Sequence, residues 1–422
     1  MVERCLALVD GEHYAPVVRD ALAALPYDVV AAVMLGGTEK LRGGEDYGIP
    51  LVDDLDDALV EYRPDLVFDV SDEPVLGPRE RLRLASRVLA AGIAYVGSDF
   101  RFEPPRLEPF ALPSIGIVGT GKRVGKTGVS GHAARLWAED HDVLVVAMGR
   151  GGPAEPVVSE TPPTLDELLA LSRGGGHAAS DYLEVAALAR VPTIGCRRAG
   201  SGLAGAVVAS NVLEGARLAA ERRPDLVVFE GSGAALPPIE TNVRMLVANA
   251  AQPPEVVAGY LNAYRILVSD LVVLTAAEND APHERLADAV REVKELPVVA
   301  CTFRPRPMEP VEGERVAFFS TAPEAAVDRL ADHLRNEHGA EVVLASPHLS
   351  RREELRRDLE RAEADVFLVE LKAAAIDVVA EAAAERGARL VLADTDVVPT
   401  AGDVDGELRA LATSAREGVA VT

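Results

Sequence analysis

The segment from Ser114 to Trp137 constrains the fold of this chain more than any other. It begins with the apolar run SIGIVG, continues through the glycine-rich GTGKRVGKT (Gly119–Thr127) and ends in the helix-forming stretch KTGVSGHAARLW. A buried strand, a glycine-rich loop and a helix start are the context that a phosphate-binding loop requires, because backbone N–H groups and the helix N-terminus then face the phosphate oxygens. The alternative is a glycine-rich turn that binds no ligand.

Short runs of Val, Ile and Leu alternate with longer helical stretches along the chain, which is typical of parallel sheets with crossover helices. The proline-rich segments FRFEPPRLEPFALP and RPRPMEPVEG interrupt this pattern. We expect an α/β protein with a parallel-sheet P-loop NTPase core. Its parts would be an N-terminal Rossmann-like domain (1–103), a linker (104–113), a P-loop catalytic domain (114–304) and a C-terminal α/β region (305–422). The last is either a third α/β unit or an extension of the second sheet.

Charge and composition exclude several classes of partner. A net charge of −24 argues against nucleic acid or an anionic membrane surface as the main partner. No apolar run approaches the ~18–20 residues of a membrane span, and the N-terminal ERCLALVDG does not resemble a signal peptide. Cys5, Cys196 and Cys301 lack CxxC spacing, which disfavours disulfides and zinc sites. We therefore expect a cytoplasmic protein.

Each residue of the glycine-rich loop has an expected role. Lys126 is placed to reach the β- and γ-phosphates of a nucleotide, and Thr127 offers its hydroxyl to Mg²⁺. The strict GxxxxGK[ST] pattern has Gly at position 120, where Thr stands here. The expected nucleotide-binding residues are Gly119, Thr120, Gly121, Gly125, Lys126, Thr127 and Gly128.

The loop and a second segment together resemble dethiobiotin synthetase and its relatives. The loop has their GT-x-x-x-x-GKT form, and VVFEGSG places Glu230 after an apolar run and before glycines. In that family an EGxGG segment stands here, and its Glu helps to hold Mg²⁺ and the reacting groups. The resemblance implies this role for Glu230, although Ala234 replaces the second closing glycine. Taken by itself, EGSG would be an ordinary strand-end turn, and we expect Glu230 to be an exposed carboxylate.

Basic residues stand at several predicted strand ends, next to glycines. Lys122 and Arg123 lie inside the loop, Arg150 follows VVAMG, and Arg197 and Arg198 follow TIGC. Ligands of open α/β sheets bind outside the carboxyl ends of the strands. Each of these residues alone would be a solvated loop residue, but together they favour a substrate with more than one phosphate.

These patterns yield a set of candidate site residues. The candidates for catalysis are Lys126, Lys122, Arg150 and Glu230; for substrate binding, Lys122, Arg123, Arg150, Arg197 and Arg198; for Mg²⁺, Thr127, Glu230 and Glu155. His13 follows the first strand at a position prone to ligand binding, but in a separate domain. His132, on the helix after the loop, is expected to be a packing residue.

Five segments together resemble the cyclic 2,3-diphosphoglycerate synthetase family. They are DGEHYAPV, GTGKRVGKT, GRGGPAEP, VFEGSG and ELKAAAIDV (Glu370–Val378). The resemblance spans nearly the whole chain and implies an ATP-dependent cyclisation, in which ATP and 2,3-diphosphoglycerate give ADP, phosphate and the cyclic pyrophosphate. It also implies a requirement for Mg²⁺ and a homodimer.

Other functions fit parts of the same pattern. A kinase or ligase of the same superfamily, acting on a phosphoglycerate or a carboxylate, would differ only in the second chemical step. A nucleotide switch, such as a partitioning ATPase or a metal-insertion GTPase, typically carries KGGxGKT, with lysine where this chain has Gly121, or a histidine-rich stretch. The chain has no NKxD motif for guanine recognition, so ATP is favoured over GTP. A non-catalytic scaffold would not explain the clustered lysines.

Overall fold

The N-terminal part of the chain forms a doubly wound sheet. The computed structural model describes residues 2–41, 43, 45–173, 181–278, 283–370 and 378–420. The first strands and helices are β1 (Arg4–Val9), α1 (Ala15–Ala24), β2 (Asp28–Met34), a 3-10 turn (Thr38–Lys40), β3 (Leu51–Val52), α2 (Leu55–Tyr62), β4 (Leu66–Asp69), α3 (Pro78–Ala90), β5 (Ala94–Val96) and β6 (Arg101–Phe102). The strand order is β3-β2-β1-β4-β5-β6, with all neighbours parallel except β5 and β6. This order confirms the predicted Rossmann-like fold of the N-terminal part.

The second sheet carries the glycine-rich loop. Its first strands are β7 (Ser114–Gly119), β8 (Val143–Gly149), β9 (Val157–Ser159), β10 (Thr193–Ala199), β11 (Ala209–Ser210), β12 (Leu226–Glu230), β13 (Val243–Asn249), β14 (Leu271–Thr275) and β15 (Val298–Pro307). Its helices are α4 (Lys126–Trp137), α5 (Leu165–Arg173), α6 (Asp181–Ala189), α7 (Val212–Arg222), α8 (Pro254–Val257), α9 (Asn262–Leu267) and α10 (His283–Arg291). The order is β11-β10-β8-β12-β7-β13-β14-β15, with β9 beside β10. From β10 to β15 all neighbours are parallel, so their carboxyl ends share one edge.

The C-terminal region extends this second sheet, which is one of the two alternatives left open by the sequence. It contains β16 (Arg315–Phe319), α11 (Glu324–His338), β17 (Glu341–Ser346), α12 (Arg352–Arg361), β18 (Val366–Glu370), α13 (Ala380–Arg386), β19 (Arg389–Ala401) and α14 (Val404–Ala420). The order continues β15-β19-β18-β16-β17, with β15 and β19 antiparallel and the remaining neighbours parallel. Strands β16 to β19 therefore end at the edge opposite the glycine-rich loop.

The second proline-rich segment, residues 304–313, is strand in its first four residues and an irregular connection in the rest. Residues Arg304 to Pro307 belong to β15, where Pro305 pairs with Thr395 and Pro307 with Ala393. Proline lacks an N–H donor and is tolerated where one side of a strand is unpaired. Strand β14 pairs with β15 only as far as Ala300, so both prolines lie beyond it. The division of the chain into domains stays a prediction.

The last helix returns to the helix that follows the glycine-rich loop. Helix α14 packs against α4 and β7, and Trp137 Nε1 donates to the carbonyl of Leu408 at 2.8 Å. His132, expected to be a packing residue, pairs through Nε2 with Asp405 Oδ1 at 2.7 Å. The C-terminus thus supports the loop-bearing helix. No helix in the described part of the chain is both long and apolar enough to cross a membrane.

An ion pair joins the end of β14 to β15. Arg304 Nη2 donates to Glu278 Oε2 at 2.8 Å, Arg304 Nη1 donates to Oε1 at 3.0 Å, and Thr302 Oγ1 donates to Oε1 at 2.7 Å. The hydrogen bonds from Arg304 are the main reason that the pKa of Glu278 falls from 4.5 to about 2. The carboxylate therefore stabilises the fold only while it is ionised.

We expect Glu278→Gln to lower the free energy of unfolding by about 1–2 kcal/mol at neutral pH, allowing for solvent screening of the pair. Because the pKa is lower in the folded state, this contribution is complete above the unfolded pKa near 4.5 and is lost as the pH falls towards about 2. Thermal melts should show the difference in Tm from wild type shrinking on acidification. Glu160→Gln, which removes the exposed partner of Arg222, should leave Tm unchanged. A difference that is as large at pH ~3 as at neutral pH would contradict this assignment.

Candidate active site

The glycine-rich loop is held in shape by close packing beneath it. Gly125 precedes α4 with a φ of 79°, and a Cβ at this position would lie 2.4 Å from the ring of Phe303. A Cβ on Gly119 would lie 2.9 Å from the side chain of Val124. Thr275 Oγ1, at the end of β14, donates to the carbonyl of Val124 at 2.7 Å. The loop therefore has little freedom to collapse, as a preformed phosphate site requires.

Thr120 occupies the place of the usual glycine and anchors the loop to the next strand. Its N–H donates to the carbonyl of Val247 at 3.0 Å, and its Oγ1 donates to Gln252 Oε1 at 3.1 Å. Thr120 is buried, with 8% exposed. The threonine hydroxyl thus gives the loop a hydrogen bond to Gln252 that a glycine at position 120 could not make. Gln252 and Thr275 were not among the residues predicted from the sequence, since neither carries a local motif.

Three side chains meet below the start of α4. The ammonium of Lys126 pairs with Glu230 Oε1, and Ser130 Oγ donates to Glu230 Oε2 at 2.9 Å. The expectation that Glu230 is an exposed carboxylate is wrong, because only 4% of this residue is exposed. Strand β12 ends directly beneath α4, and Ser130, one turn into that helix, covers the carboxylate. A buried carboxylate needs such partners, and here one of them is the lysine of the loop.

Two arginines approach the segment that follows Glu230. A Cβ on Gly233 would lie 3.2 Å from Nη2 of Arg150 and 3.9 Å from Nη2 of Arg198. Arg198 is buried, and it donates to the carbonyls of Ser232 at 2.7 Å and Gly200 at 2.9 Å. Arg150 is exposed after β8. The same glycine touches the loop, since its carbonyl oxygen would lie 3.1 Å from a Cβ on Gly119. The ends of β7, β8, β10 and β12 thus converge, as predicted for an open parallel sheet.

Arg197 and Arg198 do not form a pair in space. They are successive residues of β10, so their side chains leave opposite faces of the sheet, and Arg197 is exposed whereas Arg198 is buried. Lys122 and Arg123 are exposed within the loop, and Arg123 has a φ of 62°. Their side chains therefore face solvent above the site, where a ligand of the loop could contact them.

The predicted metal ligands are distributed unevenly. Thr127 is half-buried at the first turn of α4, close in sequence to the Lys126 that contacts Glu230. Glu155 is exposed in the connection from β8 to β9, and its neighbour Ala154 accepts a hydrogen bond from Asn211. Among the residues described, no three His, Cys, Asp or Glu side chains form a cluster that could hold a metal on their own.

Two other sequence features lie away from this edge. His13 Nδ1 lies 2.7 Å from Asp10 Oδ1 at the end of β1, in the N-terminal sheet. Glu370, the first residue of ELKAAAIDV, ends β18 at the opposite edge of the second sheet and accepts from Thr321 Oγ1 at 2.7 Å. Residues 371–377 of that segment lie outside the described residues.

Comparisons with family models match three parts of the chain to domains of one family. Three family models of cyclic 2,3-diphosphoglycerate synthetase match the chain: the N-terminal domain over residues 4–103, the P-loop domain over 114–302 and the C-terminal domain over 307–396. Among solved structures, LpxK from Aquifex aeolicus, crystallised in complex with ATP, covers 74% of this chain and 90% of its own, with 16% identity and a TM-score of 0.43. That likeness is too low to support a conclusion.

Curated relatives match along nearly their full length. Cyclic 2,3-diphosphoglycerate synthetase of Rubrobacter xylanophilus is 52% identical, with 98% of each chain covered. The enzymes of the same name from Methanothermus fervidus and Methanothermobacter thermautotrophicus are 41% and 40% identical, covering 93% and 96% of this chain and 92% and 94% of their own. The chain therefore belongs to the cyclic 2,3-diphosphoglycerate synthetase family.

Proposed function

We propose that this protein uses ATP and Mg²⁺ to close 2,3-diphosphoglycerate into cyclic 2,3-diphosphoglycerate, with release of ADP and phosphate. The observation that supports this proposal best is the convergence at one sheet edge of the phosphate loop, the Lys126–Glu230 pair and the arginines Arg150 and Arg198. An ATP site alone accounts for the loop and Lys126. The additional guanidinium groups suit a second, multiply charged anion.

The chemistry needs two phosphoryl transfers. In the first, an oxygen of one substrate phosphate attacks the γ-phosphorus of ATP, the bond to the β-phosphate oxygen breaks, and ADP leaves. In the second, an oxygen of the other substrate phosphate attacks the inner phosphorus of the new anhydride, and orthophosphate leaves as the ring closes. Phosphate oxygens are already ionised, so no strong general base is required. Catalysis then depends on positioning and on neutralising charge.

The proposed roles follow from position. Lys126 would exchange its contact with Glu230 for the β- and γ-phosphates of ATP, and the backbone of the loop would bind the same groups. Lys122 would stabilise the transferred phosphoryl group, and Arg150 would bind the substrate phosphate that receives it. Arg198 and the exposed Arg123 and Arg197 are the remaining candidates for the substrate.

Mg²⁺ fits the donors at this site. In nucleotide sites Mg²⁺ uses one or two protein oxygens together with phosphate oxygens and water, so the absence of a three-residue cluster among the described residues does not disagree. Thr127 follows the loop lysine directly in the sequence and Glu230 contacts it, so these two residues are the first candidates for the oxygen ligands of Mg²⁺, and Glu155 is the remaining one. When bound, the cation would neutralise charge on the phosphates.

The proposal includes the setting in which the protein works. We place it in the cytoplasm as a homodimer, without nucleic acid or membrane as a partner. Cys5, Cys196 and Cys301 are free and buried, which suits a reducing compartment. Sedimentation of the purified protein tests the dimer.

³¹P NMR of the purified protein with ATP, Mg²⁺ and 2,3-diphosphoglycerate tests the activity. We expect the two monoester resonances to be replaced by pyrophosphate resonances of the cyclic product, with one ADP and one phosphate formed per ring. A substrate that gains a phosphoryl group without releasing phosphate would indicate a kinase. ATP hydrolysis with unchanged 2,3-diphosphoglycerate would indicate a nucleotide switch. Either result would overturn the proposal.

Among the basic residues, Arg150 should matter more than Arg197 for the substrate. Arg150 lies against Gly233 beside the loop, whereas Arg197 leaves the face of β10 opposite Arg198. We expect Arg150→Ala to raise KM for 2,3-diphosphoglycerate by about tenfold, with the Kd for ATP from calorimetry nearly unchanged. Arg197→Ala should have a smaller effect. Arg217→Ala, which removes an exposed charge on α7, is the control. Equal weakening of ATP and substrate by Arg150→Ala would place this arginine at the nucleotide instead.

A further inference from the structure

Arg265, on the short helix α9, is a buried cation bound by uncharged oxygens. Its Nε and Nη2 donate to the carbonyl of Ala234 at 2.9 and 2.7 Å, and Nη2 also donates to the carbonyl of Leu203 at 3.1 Å. Nη1 donates to the carbonyl of Leu261 at 3.0 Å and to Asn262 Oδ1 at 3.1 Å. A guanidinium has five N–H donors, and these contacts use all of them. Only 3% of the residue is exposed.

These contacts join two loops of the proposed active site. Ala234 ends the segment that starts at Glu230, and Leu203 belongs to the loop that follows Arg198. The two loops are packed without spare room, since a Cβ on Gly205 would lie 2.9 Å from the carbonyl oxygen of Ala234 and 3.2 Å from Nη2 of Arg265. Arg198 binds the same segment two residues earlier, through the carbonyl of Ser232. The backbone after Glu230 is therefore held by two arginines.

The N-terminal domain contacts the same helix. Helix α3 packs against α9. The Oγ of the fully buried Ser86 lies 2.8 Å from the carbonyl oxygen of Leu82 in its own helix and 3.1 Å from that of Tyr260, so its one proton is shared between these two acceptors. Tyr260 immediately precedes Leu261, whose carbonyl orients the guanidinium. A single apolar cluster contains Val88 of α3, Leu261 and Leu236, the last of which stands two residues after Ala234. A continuous path of contacts thus runs from the N-terminal domain through Arg265 to the Glu230 segment.

We propose that Arg265 is a positioning residue through which the N-terminal domain holds the Glu230 segment in place for cyclisation. This inference rests on the proposed function, because it concerns the geometry of that reaction. It gives the N-terminal domain a part in catalysis without requiring any of its residues to touch the substrate. Its consequence is that loosening this path should impair ring closure more than ATP binding.

Arg265→Lys tests the proposal, since lysine keeps the charge but cannot bridge Ala234, Leu203 and Leu261 at once. We expect the rate of cyclic product formation to fall about tenfold, with the Kd for ATP nearly unchanged. The ratio of ADP to cyclic product should rise above one, as the anhydride is lost to water. Arg244→Lys is the matched control. Arg244 is also buried and also donates to a backbone carbonyl, that of Val268, which follows α9. Arg244 stands at the amino end of β13, whereas the proposed site lies at the carboxyl ends of the strands. Arg244→Lys should lower Tm without changing the ratio.

Ser86→Ala tests the link to the N-terminal domain and avoids a large loss of stability. It should raise the same ratio to a smaller extent, and its effect should be less than additive with that of Arg265→Lys in a double-mutant cycle. A ratio that stays at one in Arg265→Lys and in Ser86→Ala would overturn the inference, as would full additivity. If the wild type forms no cyclic product, the proposed function itself fails, and the two failures are therefore distinguishable.

Discussion

Lys126→Ala should lower turnover with ATP by at least ~100-fold, the scale on which a single electrostatic contact to a developing charge contributes. Lys126 begins α4 directly after the loop, and its ammonium lies against Glu230 at the edge where the strand ends meet. Lys122 and Arg123 are not placed to replace it, because both are exposed outside the buried part of the site. The loss should appear in kcat for cyclic product and for ADP alike, since both steps follow from the first transfer.

Steady-state rates and calorimetry with ATP measure this effect. Lys294→Ala is the matched control and should retain wild-type turnover. Lys294 donates to the carbonyl of Ser269, which precedes the amino end of β14, whereas the site lies at the carboxyl end. Removing Lys126 leaves Glu230 buried without its cation, so circular dichroism must show that the variant is folded at the assay temperature. Near-wild-type ATP turnover in a folded Lys126→Ala would mean that the loop does not bind the nucleotide.

Much of the site could be predicted because parallel strands have a simple geometry. Glu230 and Arg150 stand at the ends of apolar runs, and the carboxyl ends of parallel strands meet at one edge. The structure places both beside the loop, as that reasoning requires. The burial of Glu230 could not be predicted in the same way, because it depends on Ser130, which is a hundred residues away in the chain. Strand-end position indicates where a side chain is, but not what covers it.

Two features of the arginines could not be predicted from the sequence. Arg197 and Arg198 look like a pair in the sequence, although the two-residue period of a strand separates neighbours to opposite faces. Arg265 lies in the short helix NAYRIL, which carries no motif. Its proposed role depends on the backbone carbonyls of Ala234 and Leu203. Every residue has such a carbonyl, so the sequence does not show which ones accept a hydrogen bond. Positioning residues of this kind require the tertiary structure.

The arrangement of the C-terminal region was equally hidden. The sequence shows strands and helices after Phe303 but does not show which strand joins the second sheet. Strand β19 makes this pairing with β15. The chain therefore passes through β16, β17 and β18 before it returns to β15. Helix α14 then covers α4. Support for the phosphate loop therefore comes from α14, while α3 of the N-terminal sheet packs against α9.

Glu230→Gln should lower turnover on the order of 100-fold and shift the Mg²⁺ dependence to higher concentrations. Glutamine has nearly the same shape and can still accept from Ser130, so the change removes charge with little change of volume. Because Glu230 is buried and pairs with Lys126, the variant should also lose up to about 3 kcal/mol of stability, since the lysine is left without its partner. Ser130→Ala, which keeps the charge, should have a much smaller effect on turnover.

A double variant separates catalysis from stability. Removing both members of a buried ion pair is often nearly neutral for folding, so Lys126→Met/Glu230→Gln should regain most of the Tm lost by Glu230→Gln. It should not regain turnover, because the charge that holds Mg²⁺ and the charge that binds the phosphates are both absent. Melting curves and Mg²⁺ titrations of the three variants give the comparison. If the Mg²⁺ dependence of Glu230→Gln matched that of wild type and only its Tm fell, Glu230 would be a structural partner of Lys126 and Mg²⁺ would have to be held by Thr127 and the phosphates.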